Sequence, residues 1–398
     1  MSKKKEEDKL WKWIDNNHLF LFLVSITVIG VLIRLYLMSY QSGDYDMFLK
    51  PWFQELKANG GLLALKKEIG NYTPIYMTLL AILTYLPIKS LISIKVLSII
   101  FDFVGAFTIY KIVSFLLEKK KYQKELSILS YGIYLFLPTV FLNSAYWAQS
   151  DSIYAAFSLL SIYFLMKENY LKSLLFFGIA LSFKLQAIFL FPIFLFVYIS
   201  ERKIKLKYFL VIPLTIFLLS LPKALLRNDL LIGFKVFGNQ SNTYSQYITL
   251  NFPNIYSIFF KGDSNLIITP IKDLKIICCL VTLMILITLT YFIYRKKIIF
   301  TKKAIIDFSI LSILIMTFFL PEMHERYLYL GDVLAISYLF VNRKKYYLSI
   351  GIEIVSLYGY MYLLFSAFAI PISLIGILYL FIIILYTKNI IQEYFLST

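Results

Sequence analysis

The sequence predicts an all-α polytopic membrane protein, a single domain built as a bundle of about 12 transmembrane helices, and three observations carry that expectation. Of the 398 residues, 60% are hydrophobic, 18% aromatic and 16% charged. The mean hydropathy of +0.74 exceeds what a soluble domain of this length can hide from water. Apolar runs long enough, or nearly so, to cross a bilayer recur near 18–39, 93–116, 126–144, 152–166, 170–183, 186–200, 208–222, 274–294, 304–320, 326–341, 347–365 and 369–387. The basic residues behind the formal net charge of +17 sit in short clusters between these runs, the pattern of loops on one membrane face rather than of a nucleic-acid-binding surface.

Taken in order, the first cluster is Lys3, Lys4, Lys5, Lys9 and Lys12. The run that follows, His18 to Met38, is too long for a signal-peptide core, lacks a small-residue cleavage site and precedes many more runs, so it reads as an anchor. Further clusters lie at Lys119–Lys124, Arg202–Lys207, Arg295–Lys303 and Arg343–Lys345. All five are expected on the cytoplasmic side, with the N-terminus, in a multi-pass protein of the cell membrane.

That assignment leaves residues 40–92 as a long first outer loop. Counting 73–88 as a crossing would move Lys119–Lys124 outside, so Tyr72–Leu91, short and bounded by Pro74 and Pro87, is predicted to be re-entrant or interfacial. Between Met47 and Asn59, Phe48, Trp52, Phe53 and Leu56 recur at helical spacing opposite Lys50, Glu55 and Lys57, and Gly60–Gly61 stops the helix. A second outer segment, about 223–273, is polar and reads as irregular, with NQSNTYSQY at 239–247. Cys278 and Cys279, adjacent in an apolar run, are expected as core residues rather than a disulfide or zinc site.

Four polar motifs fall on the outer face in this register: SGDYD at 42–46, YWAQSDS at 146–152, FKLQ at 183–186 and PEMHERY at 321–327. Asp44 and Asp46 suit a helix cap and its first turn, or a carboxylate that takes the proton of an attacking hydroxyl. Two carboxylates make only an incomplete cation site, so a divalent cation is the one cofactor left open, and no protein metal centre is expected with His18 and His324 as the two histidines. Tyr146 and Trp147 fit an aromatic belt or a stacking surface. Gln149 and Asp151 suit sugar hydroxyls, Asp151 equally a helix cap. Lys184, with Gln186 in an apolar run, either snorkels to the interface or meets a buried anion. His324 and Arg326, with Glu322 and Glu325, form either a solvated turn or a charged site. Asp102, Asp307, Asp332 and Glu353 lie inside apolar runs and are expected to face the bundle interior.

In this order the motifs resemble the GT-C superfamily of integral-membrane glycosyltransferases that use polyprenyl-phosphate sugars. The likeness is greatest to bacterial proteins similar to the second mannosyltransferase of the GPI-anchor pathway and to the dolichyl-phosphate-glucose-dependent glucosyltransferases. GDYDMFLKPWFQEL resembles the family's first-loop acidic motif, FKLQAIFLFP its Lys-Gln motif and MHERYLYL its late His-Glu-basic motif, although FKLQ departs from the adjacent Lys-Gln form. The resemblance implies Asp44, with Asp46 as second candidate, as catalytic base on an acceptor hydroxyl, with inversion at the sugar. It implies Lys184, His324 and Arg326 as ligands of the donor phosphate, and Tyr146, Trp147, Gln149, Asp151 and Gln186 as candidate substrate contacts. The expected partners are a polyprenyl-phosphate sugar, a glycan or polymer acceptor and membrane lipid, with no nucleic acid. Two rivals are a lipid-linked-sugar flippase, which would place its polar site at the midplane of repeated halves, and a surface-polysaccharide polymerase or ligase, which would take a diphosphate-linked oligosaccharide.

Overall fold

The computed structural model describes residues 2–243, 247–260, 265–267, 272–365 and 370–396. Six helices are long and apolar enough to cross a membrane: Trp11–Leu37, Ser90–Leu116, Leu206–Arg227, Leu274–Lys296, Arg343–Phe365 and Ile372–Phe395. A seventh arises if Gln123–Phe136 and Pro138–Tyr146, which meet at 48°, count as one span; Pro138 removes a helical donor and forces Leu137 into extended backbone at ψ 123°.

The all-α polytopic expectation is met, whereas six or seven helices among the described residues, not about 12, are long enough to cross by length and composition. The runs at 152–166, 170–183, 186–200 and 326–341 become the short helices Asp151–Met166, Tyr170–Phe183, Leu185–Glu201 and Tyr329–Val341. Sixteen residues in the first of these rise about 24 Å, against roughly 30 Å of hydrocarbon. Much of their apolar surface is enclosed by other helices. Ile153, Tyr154, Leu159, Ile162, Leu174 and Phe177 are all fully enclosed, whereas the apolar stretches of Trp11–Leu37 and Leu274–Lys296 are only 17% buried. Lys302–Phe319 is likewise buried along most of its length and carries Lys302, Lys303 and Asp307.

The intramembrane acids each find a polar partner, as buried carboxylates must. Asp102 accepts from Arg34 Nε at 2.7 Å and Ser144 Oγ at 2.5 Å. Asp307 meets Lys303 at 3.1 Å and Tyr394 at 2.7 Å, Asp332 meets Ser356 at 2.6 Å, and Glu353 meets Thr139 at 3.2 Å.

In the first loop, Lys50–Ala58 is helical and buries Phe53 and Leu56, while Phe48 is exposed. The chain turns at Gly60 and Gly61, with φ of 85° and 64°, and a Cβ on Gly61 would strike the Tyr85 ring at 2.5 Å. Pro74–Leu83 is a separate 10-residue helix, too short to cross, that packs Tyr76, Met77, Leu80 and Ala81 inward.

The segment expected to be irregular holds regular structure. Ile232–Thr243 is a helix, and Tyr247–Leu250 is a strand in a three-stranded sheet. It pairs antiparallel with Asn265–Ile267 and parallel with Met323–His324, Leu250 opposite His324. The β-branched Ile248 and Thr249 favour the extended chain. The fold is therefore helical with one small sheet, and 244–246, 261–264 and 268–271 of that segment lie outside the described residues.

Polar contacts separate the two ends of the bundle. At one end, Lys302 reaches Phe115 O at 3.2 Å and Glu118 at 2.9 Å, Phe300 N donates to Glu201 at 2.6 Å, and Lys203 pairs with Glu201 at 2.9 Å and Glu168 at 3.2 Å. Lys120, Lys121, Arg343, Lys344 and Lys345 line one cavity there. Four of the five basic clusters thus share an end; the side chains of Lys3, Lys4, Lys5 and Lys9 are outside the described set. The other end of the Ser90–Leu116 helix touches the first loop, where Ser90 Oγ is 2.7 Å from Tyr45 Oη.

Candidate functional site

The loop after the first helix is pinned by a buried ammonium. Lys95 donates to Met38 O at 3.2 Å, Tyr40 O at 2.5 Å and Tyr146 O at 3.0 Å, tying the loop of Asp44 to the loop of Trp147. Ser42, not Asp44, caps the following helical turn: its Oγ accepts from Tyr45 N at 3.2 Å and donates to Trp147 O at 2.7 Å. Asp44 makes no cap hydrogen bond. Its carboxylate is turned to the 146–152 loop, where Oδ2 accepts from Trp147 Nε1 at 3.0 Å and Gln149 Nε2 at 2.7 Å. Ala148, between these donors, has φ of 68°, a left-handed conformation that costs a residue with a Cβ about 1–2 kcal/mol. That strain aims both neighbours at one oxygen.

Asp46, two residues on, takes no part. It is exposed and pairs with Lys50 at 3.2 Å, one helical turn later.

Lys184 follows the last turn of Tyr170–Phe183 in extended backbone, with φ of −149° and ψ of 137°. Of the two alternatives for this lysine, the buried anion is realised: Nζ lies 2.7 Å from Asp151 Oδ1. Asp151 is fully buried and also accepts from Asn143 Nδ2 at 2.9 Å, and Arg326 Nε lies 3.6 Å from its second oxygen. Arg326 is held on its other side by Glu325, and its guanidinium lies 5.2 Å over the Trp147 ring. Burial pushes the Glu325 carboxyl up, but Arg326 and His324 more than offset it and hold the group at about 2. The His324–Arg326 turn packs against Gly359, where a Cβ would meet Glu325 O at 2.5 Å, and strand pairing with Leu250 fixes His324.

These groups surround one cavity of about 270 Å³. Asp44, Gln149, Lys184, Gln186, His324 and Arg326 all line it. Motifs distant in the sequence therefore converge, with two carboxylates, Asp44 and Glu325, three nitrogen side chains of basic type and two amides on one space.

Three candidates serve it from behind. Trp147 is 1% exposed and edge-on to Tyr360 at 5.4 Å, so it supports Asp44 and offers no stacking face. Tyr146 stacks on Tyr40 at 3.7 Å, away from the cavity. Asp151 pairs with Lys184 and lies beside Arg326, outside the lining of the cavity. The aromatic wall comes instead from Trp52 and Tyr72, whose centroids are 5.3 Å apart. Gln240, from NQSNTYSQY, also lines the cavity, and Asn71 and Asn251 add polar groups that no motif announced. Asn251 Oδ1 is buried with no hydrogen-bond partner among the described residues. Asn251, with φ of 55°, directly follows the Tyr247–Leu250 strand, whose β-branched Ile248 and Thr249 are a sequence-level signal for that corner. Among the described residues, no three His, Cys, Asp or Glu side chains gather as a metal site.

Such an arrangement can remove a proton from a hydroxyl at one wall and neutralise a phosphate at the other. No curated protein matches the chain. A family model described as "GPI transamidase subunit PIG-U" matches residues 65–258, just under half of the sequence, including Tyr72, Gln149, Lys184 and Asn251 but neither Asp44 nor His324–Arg326.

Proposed function

We propose that this chain is a membrane glycosyltransferase that moves a hexose from a polyprenyl-phosphate carrier to a hydroxyl of a lipid-linked glycan, cell-wall polymer or protein. The observation that carries this reading is the single cavity with Asp44 on one wall and Lys184, His324 and Arg326 on another. The acceptor hydroxyl gives its proton to Asp44 as its oxygen bonds to the anomeric carbon. The bond from that carbon to the phosphate oxygen breaks with its electron pair, and the basic groups meet the polyprenyl phosphate that leaves. Attack opposite to departure inverts the sugar. Asp44 Oδ2 is occupied by Trp147 and Gln149, which leaves Oδ1 for the acceptor hydroxyl.

The outer face is the proposed side of the reaction, because the basic clusters lie at the opposite end of the bundle. The family match supports work on membrane-anchored glycans. It also favours a second reading, in which the chain presents a lipid-linked substrate as one subunit of a larger complex. The test is to incubate the purified chain with a synthetic polyprenyl-phosphate mannose or glucose and an extract of the cell's lipid-linked glycans. Transfer with inverted anomeric configuration is expected. Tight binding of the donor with no turnover by the chain alone would favour the subunit.

A further inference from the structure

A second cavity, of about 200 Å³, lies across a thin partition from the first: Asn71 and Tyr72 line both. Its other walls come from a helical hairpin. Val211–Arg227 ends at Asn228, whose φ of 52° reverses the chain, and Asp229 N returns to Ala224 O at 3.0 Å. Ile232–Thr243 then packs back so closely that a Cβ on Gly233 would meet Ser220 Oγ at 2.2 Å. The hairpin thereby brings Lys223 and Arg227 to the same space as Lys235 and Asn239.

The charges lining this space are unequal in their engagement. Lys235 holds Asp229 at 2.9 Å, and Arg227 lies 3.8 Å from Glu68. Lys223 is 6% exposed and makes no ion pair or hydrogen bond among the described residues. An ammonium withdrawn from water with no anion in contact is costly; Glu68 and Asp229 line the same space but are held by Arg227 and Lys235, which leaves Lys223 for the charge of a ligand. At the turn of the hairpin Leu230 and Leu231 are 53% and 58% exposed, apolar surface that suits a hydrocarbon chain.

We propose that this cavity is a second phosphate subsite, in which Lys223 and Arg227 bind the phosphate ester of a lipid carrier while its glycan passes Asn71 and Tyr72 toward Asp44. The proposal rests on the glycosyltransferase reading for the identity of that lipid as the acceptor. The first cavity already holds three basic groups for the donor's phosphate, and the partition keeps Lys223 from sharing them. Gln240 Nε2, donating to Asn71 O at 3.0 Å, fastens the hairpin to the partition.

The full-length chain in lipid nanodiscs tests this by titration with short-chain polyprenyl monophosphate, polyprenyl diphosphate and inorganic phosphate. Wild type should bind two lipid phosphates per chain. Lys223→Met should weaken one of them by about 10- to 100-fold, the loss of a charge-assisted contact, and Arg326→Met should weaken the other. Lys223→Met should also be at least as heat-stable as wild type without ligand, since it removes an unpaired buried charge. Unchanged binding in Lys223→Met, a single site lost alike in both variants, or failure of Lys223→Met to fold would each overturn the proposal. Binding of inorganic phosphate as tight as that of the lipids would overturn the lipid assignment. Two retained sites in a chain that transfers no sugar would defeat the proposed reaction and leave the subsite standing.

Discussion

Two buried carboxylates, each facing basic groups, serve opposite ends. Asp102 lies within the helix Ser90–Leu116, paired with Arg34 at 2.7 Å, both at most 1% exposed; Arg34 also donates to Gly30 O and Leu135 O, and neither lines the cavity that holds Asp44. Asp151 likewise holds Lys184 and is fully buried, but Lys184 and Arg326 line a cavity that also holds Asp44. The first cluster is enclosed in the bundle and ties helices together. The second holds its cations by one side and leaves the other toward a space, so the same chemistry becomes a binding device.

That contrast breaks most sharply under single substitution. Arg34→Met strands Asp102 in the bundle and should cost about 3–5 kcal/mol of stability, read as thermal unfolding in detergent. The double variant Arg34→Met/Asp102→Leu should recover most of that loss. Lys184→Met, by contrast, leaves Asp151 with Asn143 and Arg326, so unfolding should shift little while transfer falls by about 10²–10³-fold; a large stability loss without a specific loss of transfer would make the two clusters alike.

Acid gives a smaller effect. Glu325 sits at about 2 in the fold against an ordinary 4.5, so as pH falls the unfolded chain binds this proton first. Its contribution to stability is full above about 4.5 and is lost as pH drops toward 2. Glu325→Gln should remove that part of the acid sensitivity in a pH series of unfolding midpoints. Smallest is Asp46→Ala: its exposed pair with Lys50 should be worth at most about 0.5 kcal/mol, with transfer unchanged.

Much of the site was legible because its charges are rare in an apolar chain. Asp44, Lys184, His324 and Arg326 stood out by position, and the basic clusters ordered them onto one face. What sequence hid was which side of each residue looks at the space. Trp147 and Asp151 read as substrate contacts, yet they stand behind Asp44 and Lys184, because a loop with φ of 68° at Ala148 turns them inward. Tyr72, Asn71 and Asn251 carry no motif and reach the cavity only through the packing of distant segments. The span count was less legible for a related reason. An apolar run at 152–166 looks the same whether it faces lipid or other helices, and only its enclosure in the bundle separates the two. Gly60–Gly61, which depends on local backbone alone, was readable outright.

The most direct measurement is the rate of sugar transfer from a synthetic polyprenyl-phosphate hexose by Asp44→Asn, beside Asp46→Asn, in protein whose thermal unfolding matches wild type. Asp44→Asn keeps an acceptor for Trp147 and Gln149 but no longer takes a proton. The account predicts that its transfer falls by about 10²–10⁴-fold while donor binding and Asp46→Asn remain as in wild type. Full transfer by Asp44→Asn would contradict it.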